Sequence, residues 1–294
     1  MGVLRFAGAD AVAFLQGQIS NDTRRLAAGR PLLAAYSNPQ GRALAILHLL
    51  PHSSGILGIL PRELVGPTME RLRKFILRAK VRIEDPGEQI VVAGQHGAAA
   101  IEAAGLQAPD PSQGYLESAG LGIGRVGADA RFWIVGEAAL IAARGLAGDV
   151  LDADSIERDW RLADIRAGLP QIYAATRELY VAQMLNLDLV DGISFSKGCF
   201  TGQEIIARAQ HLGRIKRRLM RLFLRGASFE VGQAVRLADG RSGRLTEVVP
   251  TSGGFEALAV LNVDAVDTAS ADGAAGENGA FADAEVLPLP YALL

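Results

Sequence analysis

The feature that most constrains the fold is a change of period near residue 212. Before it, segments with helical spacing alternate with short apolar strands. After it, "IKRRLMRLFL", "QAVRLADGRSGRLTEVVP" and "FEALAVLNV" are alternating strands separated by glycine turns. A helix-bearing body followed by an all-β module predicts an α+β protein, with residues 1–212 as the body and 213–294 as a β-barrel or jelly-roll-like tail. The 294 residues suffice for two such units, and 49% hydrophobic content provides for a packed core. Residues 264–281 have almost no apolar bulk and read as a flexible loop.

Within the body, residues 8–19 have the spacing of a short helix through Val12, Phe14, Leu15 and Ile19. Residues 32–50 predict two strands around an Asn-Pro-Gln-Gly turn. Residues 61–85 begin with Pro and place Met69, Leu72, Phe75, Ile76 and Ala79 on one helical face. "QIVVAG" and "RFWIVG" are strands, each followed by an alanine-rich helix. Residues 155–170 predict a helix capped by Ser155 and ended by Gly168, with Pro170 beyond.

Several function classes drop out. No apolar run approaches the roughly 20 residues of a membrane helix, and the first residues lack a signal-peptide pattern. A single cysteine makes no internal disulfide, which implies a reducing, cytoplasmic setting. The four histidines are scattered, and Pro51 interrupts the one helically spaced pair, His48 and His52. The chain is not expected to hold a metal by itself, although a shared ligand at a partner's metal stays open. Gly122, Gly124 and Gly127 spell G-x-G-x-x-G, but the adjoining "ADARFWIVG" has the pattern of a strand instead of the helix a dinucleotide site requires.

Two segments attract functional readings. Residues 197–225 carry Lys197, Arg208, Arg214, Lys216, Arg217, Arg218, Arg221 and Arg225 against one acid, Glu204. This run is either a solvated face or a docking surface for an anion. Overlapping it is "SFSKGCFTGQEIIAR", which holds the lone Cys199. Thr201 and Glu204 have the spacing of a capping box for a helix over about 202–211. Cys199 would then sit before a helix N-terminus, two residues from Lys197, a setting that favours thiolate. The alternative is an inert buried cysteine, and local chemistry alone leaves both open.

The run Lys197-Gly198-Cys199-Phe200-Thr201-Gly202-Gln203-Glu204 resembles the signature of the YgfZ-type folate-binding proteins, within the glycine-cleavage T-protein (aminomethyltransferase) superfamily. The resemblance extends to "GADAVAFLQGQISND", "AAYSNPQGRALA" and "IRAGLPQI", and so over nearly the whole chain. It implies two interwoven α+β subdomains around a central channel, with a C-terminal β-barrel. It also implies tetrahydrofolate, or another reduced folate, as cofactor. The implied role is accessory: support of iron–sulfur cluster assembly or repair and, through it, tRNA thiomodification.

On this resemblance Asn21, Asn38, Gln40 and Arg42 are expected to line the channel. Arg166, Gly202, Gln203 and Glu204 fall at further folate-site positions, and Lys197 and Cys199 form the reactive or docking element. The basic strand 214–225 is expected to receive a glutamate tail or a partner. Iron–sulfur assembly proteins or iron–sulfur enzymes are the implied partners, with neither a membrane nor direct nucleic-acid binding expected.

Departures from the T-protein pattern refine this. Its two acidic positions fall on Ala45 and Ile46, which cannot exchange a proton, so glycine cleavage is disfavoured. Its pterin-recognising Glu falls on Arg166, which only donates hydrogen bonds. Ala182 and Phe200 stand where relatives often have Pro and Tyr, and a strand-forming N-terminal segment of relatives is expected to be absent or trimmed. The alternatives are a folate-dependent one-carbon transferase and an RNA-binding module built on the basic strand, the latter weakened by few interleaved aromatics.

Overall fold

The computed structural model describes residues 1–112, 114–127, 130–146, 153–211, 214–264, 280–281 and 283–293. The expected loop 264–281 and the expected boundary at 212–213 fall almost wholly outside these residues.

The first sheet contains β1 (Gly2–Ala7), β2 (Leu32–Ser37), β3 (Ala43–His52), β4 (Gly55–Leu60) and β5 (Arg82–Glu84), in the order β2-β3-β4-β1-β5. Residues 2–7 therefore supply a strand inside the sheet, so of the expected alternatives an absent N-terminal strand does not hold. The predicted hairpin forms, with β2 and β3 paired from Leu32–Leu49 to Ser37–Ala43. Its turn closes when the Arg42 N–H donates to Asn38 Oδ1, and Gly41 takes the positive φ of 71° that the turn requires.

Helix α1 (Ala11–Gln16) is shorter than the predicted 8–19. Gly8 leaves β1 at φ 124°, and Ile19 is held outside the helix by a bridge to Tyr36. Helix α2 (Arg24–Ala27) comes next. Helix α3 (Arg62–Arg73) stops well before residue 85. Leu77 adopts a left-handed φ of 47°, and this turn lets Ile83 enter β5, where it pairs with Phe6. Of the predicted apolar face, Met69, Leu72, Ile76 and Ala79 pack on the core, whereas Phe75 is 43% exposed.

The second sheet contains β6 (Val91–His96), β7 (Tyr115–Ser118), β8 (Leu121–Val126) and β9 (Arg131–Gly136), in the order β6-β9-β8-β7. Helices α4 (Ala98–Ala103) and α5 (Ala138–Ala143) come after β6 and β9, as the alanine-rich segments predicted. Gly122 and Gly124 lie within β8, and the next element is β9, in keeping with a strand and no dinucleotide helix. A Cβ on Gly124 would lie 2.5 Å from Leu50, so this glycine lets the two sheets approach.

Helix α6 (Ala153–Ala167) begins before Ser155, which is therefore inside the first turn and is not the cap. It ends as predicted at Gly168, with φ 63°. After α7 (Gln203–His211), the third sheet is built from β10 (Arg217–Arg225), β11 (Ala234–Arg236), β12 (Ser242–Thr251), β13 (Gly254–Asn262), β14 (Ala280–Phe281) and β15 (Asp283–Leu287). Its order is β14-β11-β12-β13-β10-β15, around a core that includes Leu222, Leu224, Leu245 and Leu261. Among the described residues no helix is long and apolar enough to cross a membrane.

Candidate functional site

The signature segment divides at Lys197. That side chain is buried, and its Nζ donates to the carbonyl oxygens of Gln16 (2.7 Å), Ile19 (2.7 Å) and Asn21 (2.9 Å). An ammonium has three hydrogens, and all three are used. Burial pulls the lysine down to about 8, against the attraction of Asp22. The ammonium also lies 4.7 Å from the centre of the Phe200 ring, which adds a cation–π contact. Lys197 is thus committed to the backbone after α1 instead of to the neighbouring thiol. Cys199, in contrast, is exposed. The inert buried cysteine is excluded.

The capping box does not form. Gly202, at φ 83°, precedes the first helical residue, and a Cβ there would lie 2.7 Å from Asn38 O and 2.9 Å from Gly41 Cα. The helix start and the hairpin turn therefore pack backbone against backbone, which explains glycine in both motifs. The Thr201 N–H goes to Gly17 O, and Glu204 turns outward to Arg208 at 2.8 Å. Gln203 reaches back instead, accepting the Phe200 N–H at 3.1 Å. Cys199 lies four residues before α7, one residue farther from its N-terminus than the capping box implied.

The amide of Asn21 is buried, donating to Leu33 O and Asp191 O while its Oδ1 accepts from the Asp22 N–H. Asn38 closes the hairpin turn. Gln40 is exposed on that turn, and Arg42 donates to Leu179 O at 2.5 Å. Gly41, Gly202 and Ile205 bring this turn against α7, so the hairpin and the signature form one assembly.

The principal cavity, about 770 Å³, lies elsewhere. Its walls come from β3, β8, β9, the end of α6, residues 189–191 and the C-terminal tail. Leu33, Leu50, Trp133, Leu169 and Val190 give it apolar surface, and Arg25, Arg30, Arg125 and Arg166 give it positive charge. Of the predicted site residues, Arg166 alone is on this wall. Missed in the sequence were His48, Trp133 and Tyr291. Strand alternation puts His48 on the same face as Leu50, a signal legible only with the cavity known. Neither ring nitrogen of His48 has a protein partner among the described residues. Burial and Arg131 push it down to about 4, so the imidazole is neutral at pH 7.

Arg166 is also a fastener. Its Nε and NH2 donate to buried Glu256 of β13 at 3.1 and 2.7 Å, and Arg221 of β10 donates to the same carboxylate at 3.1 and 2.6 Å. Burial alone would raise Glu256, but the two guanidinium groups more than offset it and leave the carboxyl below its usual range. One turn earlier, Arg161 of α6 pairs with Glu247 of β12, which also accepts from the Tyr173 hydroxyl at 2.5 Å. These pairs join the body to the third sheet.

They also dissolve much of the basic run. Arg218 and Asp188 form a buried two-pronged pair at 2.7 and 2.9 Å. Arg208, Arg214 and Arg225 face Glu204, Asp264 and Asp283. Among the described residues, Lys216 and Arg217 alone of the eight cations are neither buried nor paired with a carboxylate, and Arg217 bonds Asn262.

No family model matches the chain. A tRNA-modifying protein YgfZ of Yersinia pestis (strain Pestoides F) is 30% identical over 305 residues, covering 99% of this chain and 90% of the relative. The chain belongs to the YgfZ family. A second member, from Pectobacterium carotovorum subsp. carotovorum (strain PC1), is 35% identical over 233 residues, 77% of this chain and 68% of the relative. Among solved structures, the glycine cleavage system aminomethyltransferase T of Bartonella henselae superposes with a TM-score of 0.64 at 18% identity, covering 89% of this chain and 76% of that one. The fold is therefore that of the T-proteins. The positions of the two T-protein acids, Ala45 and Ile46, are wholly buried here.

Proposed function

We propose that this protein is a reduced-folate-binding accessory factor that supports iron–sulfur cluster assembly or repair and, through it, tRNA thiomodification. The observation that carries the reading is the principal cavity. Its volume lies in the range of small-molecule sites, about 300–1,000 Å³. A reduced folate joins a planar heterocycle and an aromatic ring to a carboxylate tail, and the wall offers matching chemistry. Leu33, Leu50, Trp133 and Val190 suit the rings, neutral His48 can donate or accept at a ring edge, and Arg30 and Arg125 suit carboxylates, Arg25 being paired with Asp191 on the same wall. A bound folate would supply a one-carbon carrier. The chain's own part is to bind it, orient it and keep it from water.

Arg166 cannot replace the acceptor of a T-protein, so recognition of the heterocycle differs from that protein's. Cys199 is the exposed element that would meet an iron–sulfur protein or enzyme, with Lys197 fixing the loop that presents it.

The reading is tested in cells that lack the protein, scored by iron–sulfur enzyme activity and by thiolated nucleosides in tRNA. Wild type is expected to restore both. Cys199→Ala and the cavity-blocking Val190→Trp are expected to fail while unfolding at the wild-type temperature. Full rescue by both variants would overturn the reading.

A further inference from the structure

The turn between α3 and β5 is a surface that the fold alone does not account for. It presents Leu77 at 90% exposure and Phe75 at 43%. Leu77 sits at φ 47°, a left-handed conformation that a non-glycine residue adopts only at a cost. Ile76 and Ala79 on either side pack into the core and hold this conformation. The two bulky side chains are set among Lys74, Arg78 and Lys80, all exposed and all without an acidic partner among the described residues. No acid occurs from residue 71 to residue 83.

The turn is tied to the signature loop through α1. Asp10, at the start of that helix, accepts the Lys80 N–H at 2.7 Å and donates its own N–H to Lys80 O. At the other end, Gly17 O accepts the Thr201 N–H. The helix between them spans about 10 Å at 1.5 Å per residue. The basic turn and the loop that exposes Cys199 thus flank one short helix.

We infer that this turn is a docking site for RNA, binding phosphates through Lys74, Arg78 and Lys80 with Phe75 stacked on an unpaired base, so that the RNA lies beside Cys199. Exposed cations with no carboxylate partner among the described residues call for a polyanion. An aromatic ring interleaved with them matches the alternation of base and phosphate in a strand. Two apolar side chains bury too little to hold a bilayer, which sets a lipid surface second. The inference goes beyond the accessory role and replaces the expectation of no nucleic-acid contact, which rested on strand 214–225.

The test is fluorescence anisotropy of labelled unfractionated tRNA with the full chain. Binding is expected, with a log–log salt slope of about −2, from three phosphate contacts at about 0.7 each. Charge reversal at Lys74, Arg78 and Lys80 together is expected to weaken it on the order of a hundredfold, and Phe75→Ala on the order of tenfold. A photo-crosslinker on Cys199, the only cysteine, is expected to capture tRNA in the wild-type turn and not in the reversed one. Tetrahydrofolate binding by the charge-reversed variant is expected to be unchanged, which separates this inference from the folate reading. Absent tRNA binding, binding indifferent to both turn variants, or binding only to phosphatidylglycerol vesicles would each overturn it.

Discussion

Two segments of this molecule are basic and free of acidic residues, and they have opposite fates. The run from Arg208 to Arg225 is dense in arginine, yet the fold consumes it: Arg218 is buried on Asp188, Arg221 shares Glu256 with Arg166, and Arg225 faces Asp283. The turn 74–80 looked like the end of a helix, yet Lys74, Arg78 and Lys80 stand without a carboxylate partner among the described residues, around two exposed apolar side chains. Linear charge density therefore says little about a docking surface. What decides is whether the sheet partners bring carboxylates into register. Glu256 on β13 lies opposite Phe223 on β10, beside Arg221, and Asp283 on β15 lies opposite Arg225. The turn crosses no acidic strand.

This contrast can be broken most severely at Arg218. Arg218→Met would leave Asp188 buried and unpaired, and is expected to cost about 3–5 kcal/mol in a denaturant titration. A loss under 1 kcal/mol would mean that the pair is not buried in solution. Glu256→Gln should cost less, about 1–3 kcal/mol, because the amide oxygen still accepts from one arginine while its NH2 loses the bonds to the other. Acid should act on the same junction. Glu256 has a lowered folded-state pKa, so its contribution is present above the unfolded value of about 4.5 and is lost as pH falls through the folded one. Between pH 5 and pH 3 (about the window concerned), wild type is expected to lose more stability than Glu256→Gln, and equal losses would refute the coupling. The smallest effect is expected at the turn: alanine at Lys74, Arg78 and Lys80 together should change stability by no more than about 0.5 kcal/mol. A larger loss would show that these cations have structural partners after all.

Much of the fold was legible because it rests on local rules. The β2–β3 hairpin could be read from alternation around Asn-Pro-Gln-Gly, and the end of α6 from Gly168. The failures share a cause, which is tertiary contact overriding local pattern. Thr201 and Glu204 matched a capping box, but packing of Gly202 on Gly41 set the backbone and left the reach-back to Gln203. The helix over 61–85 ended early because pairing of Ile83 with Phe6 competed with its last turns. The site was less legible still. The signature drew attention to Cys199, whose exposure local chemistry had left open, yet the cavity is built from His48, Trp133, Arg125 and Tyr291, which no motif joins because they meet only when the sheets pack.

The claim that this cavity takes a reduced folate is tested most directly by calorimetric titration with tetrahydrofolate under reducing conditions. The account predicts one site per chain at tens of micromolar or tighter (about −6 kcal/mol or better), lost in Val190→Trp and retained in Cys199→Ala. No binding at ligand concentrations approaching about 1 mM, or binding that Val190→Trp leaves intact, would contradict it.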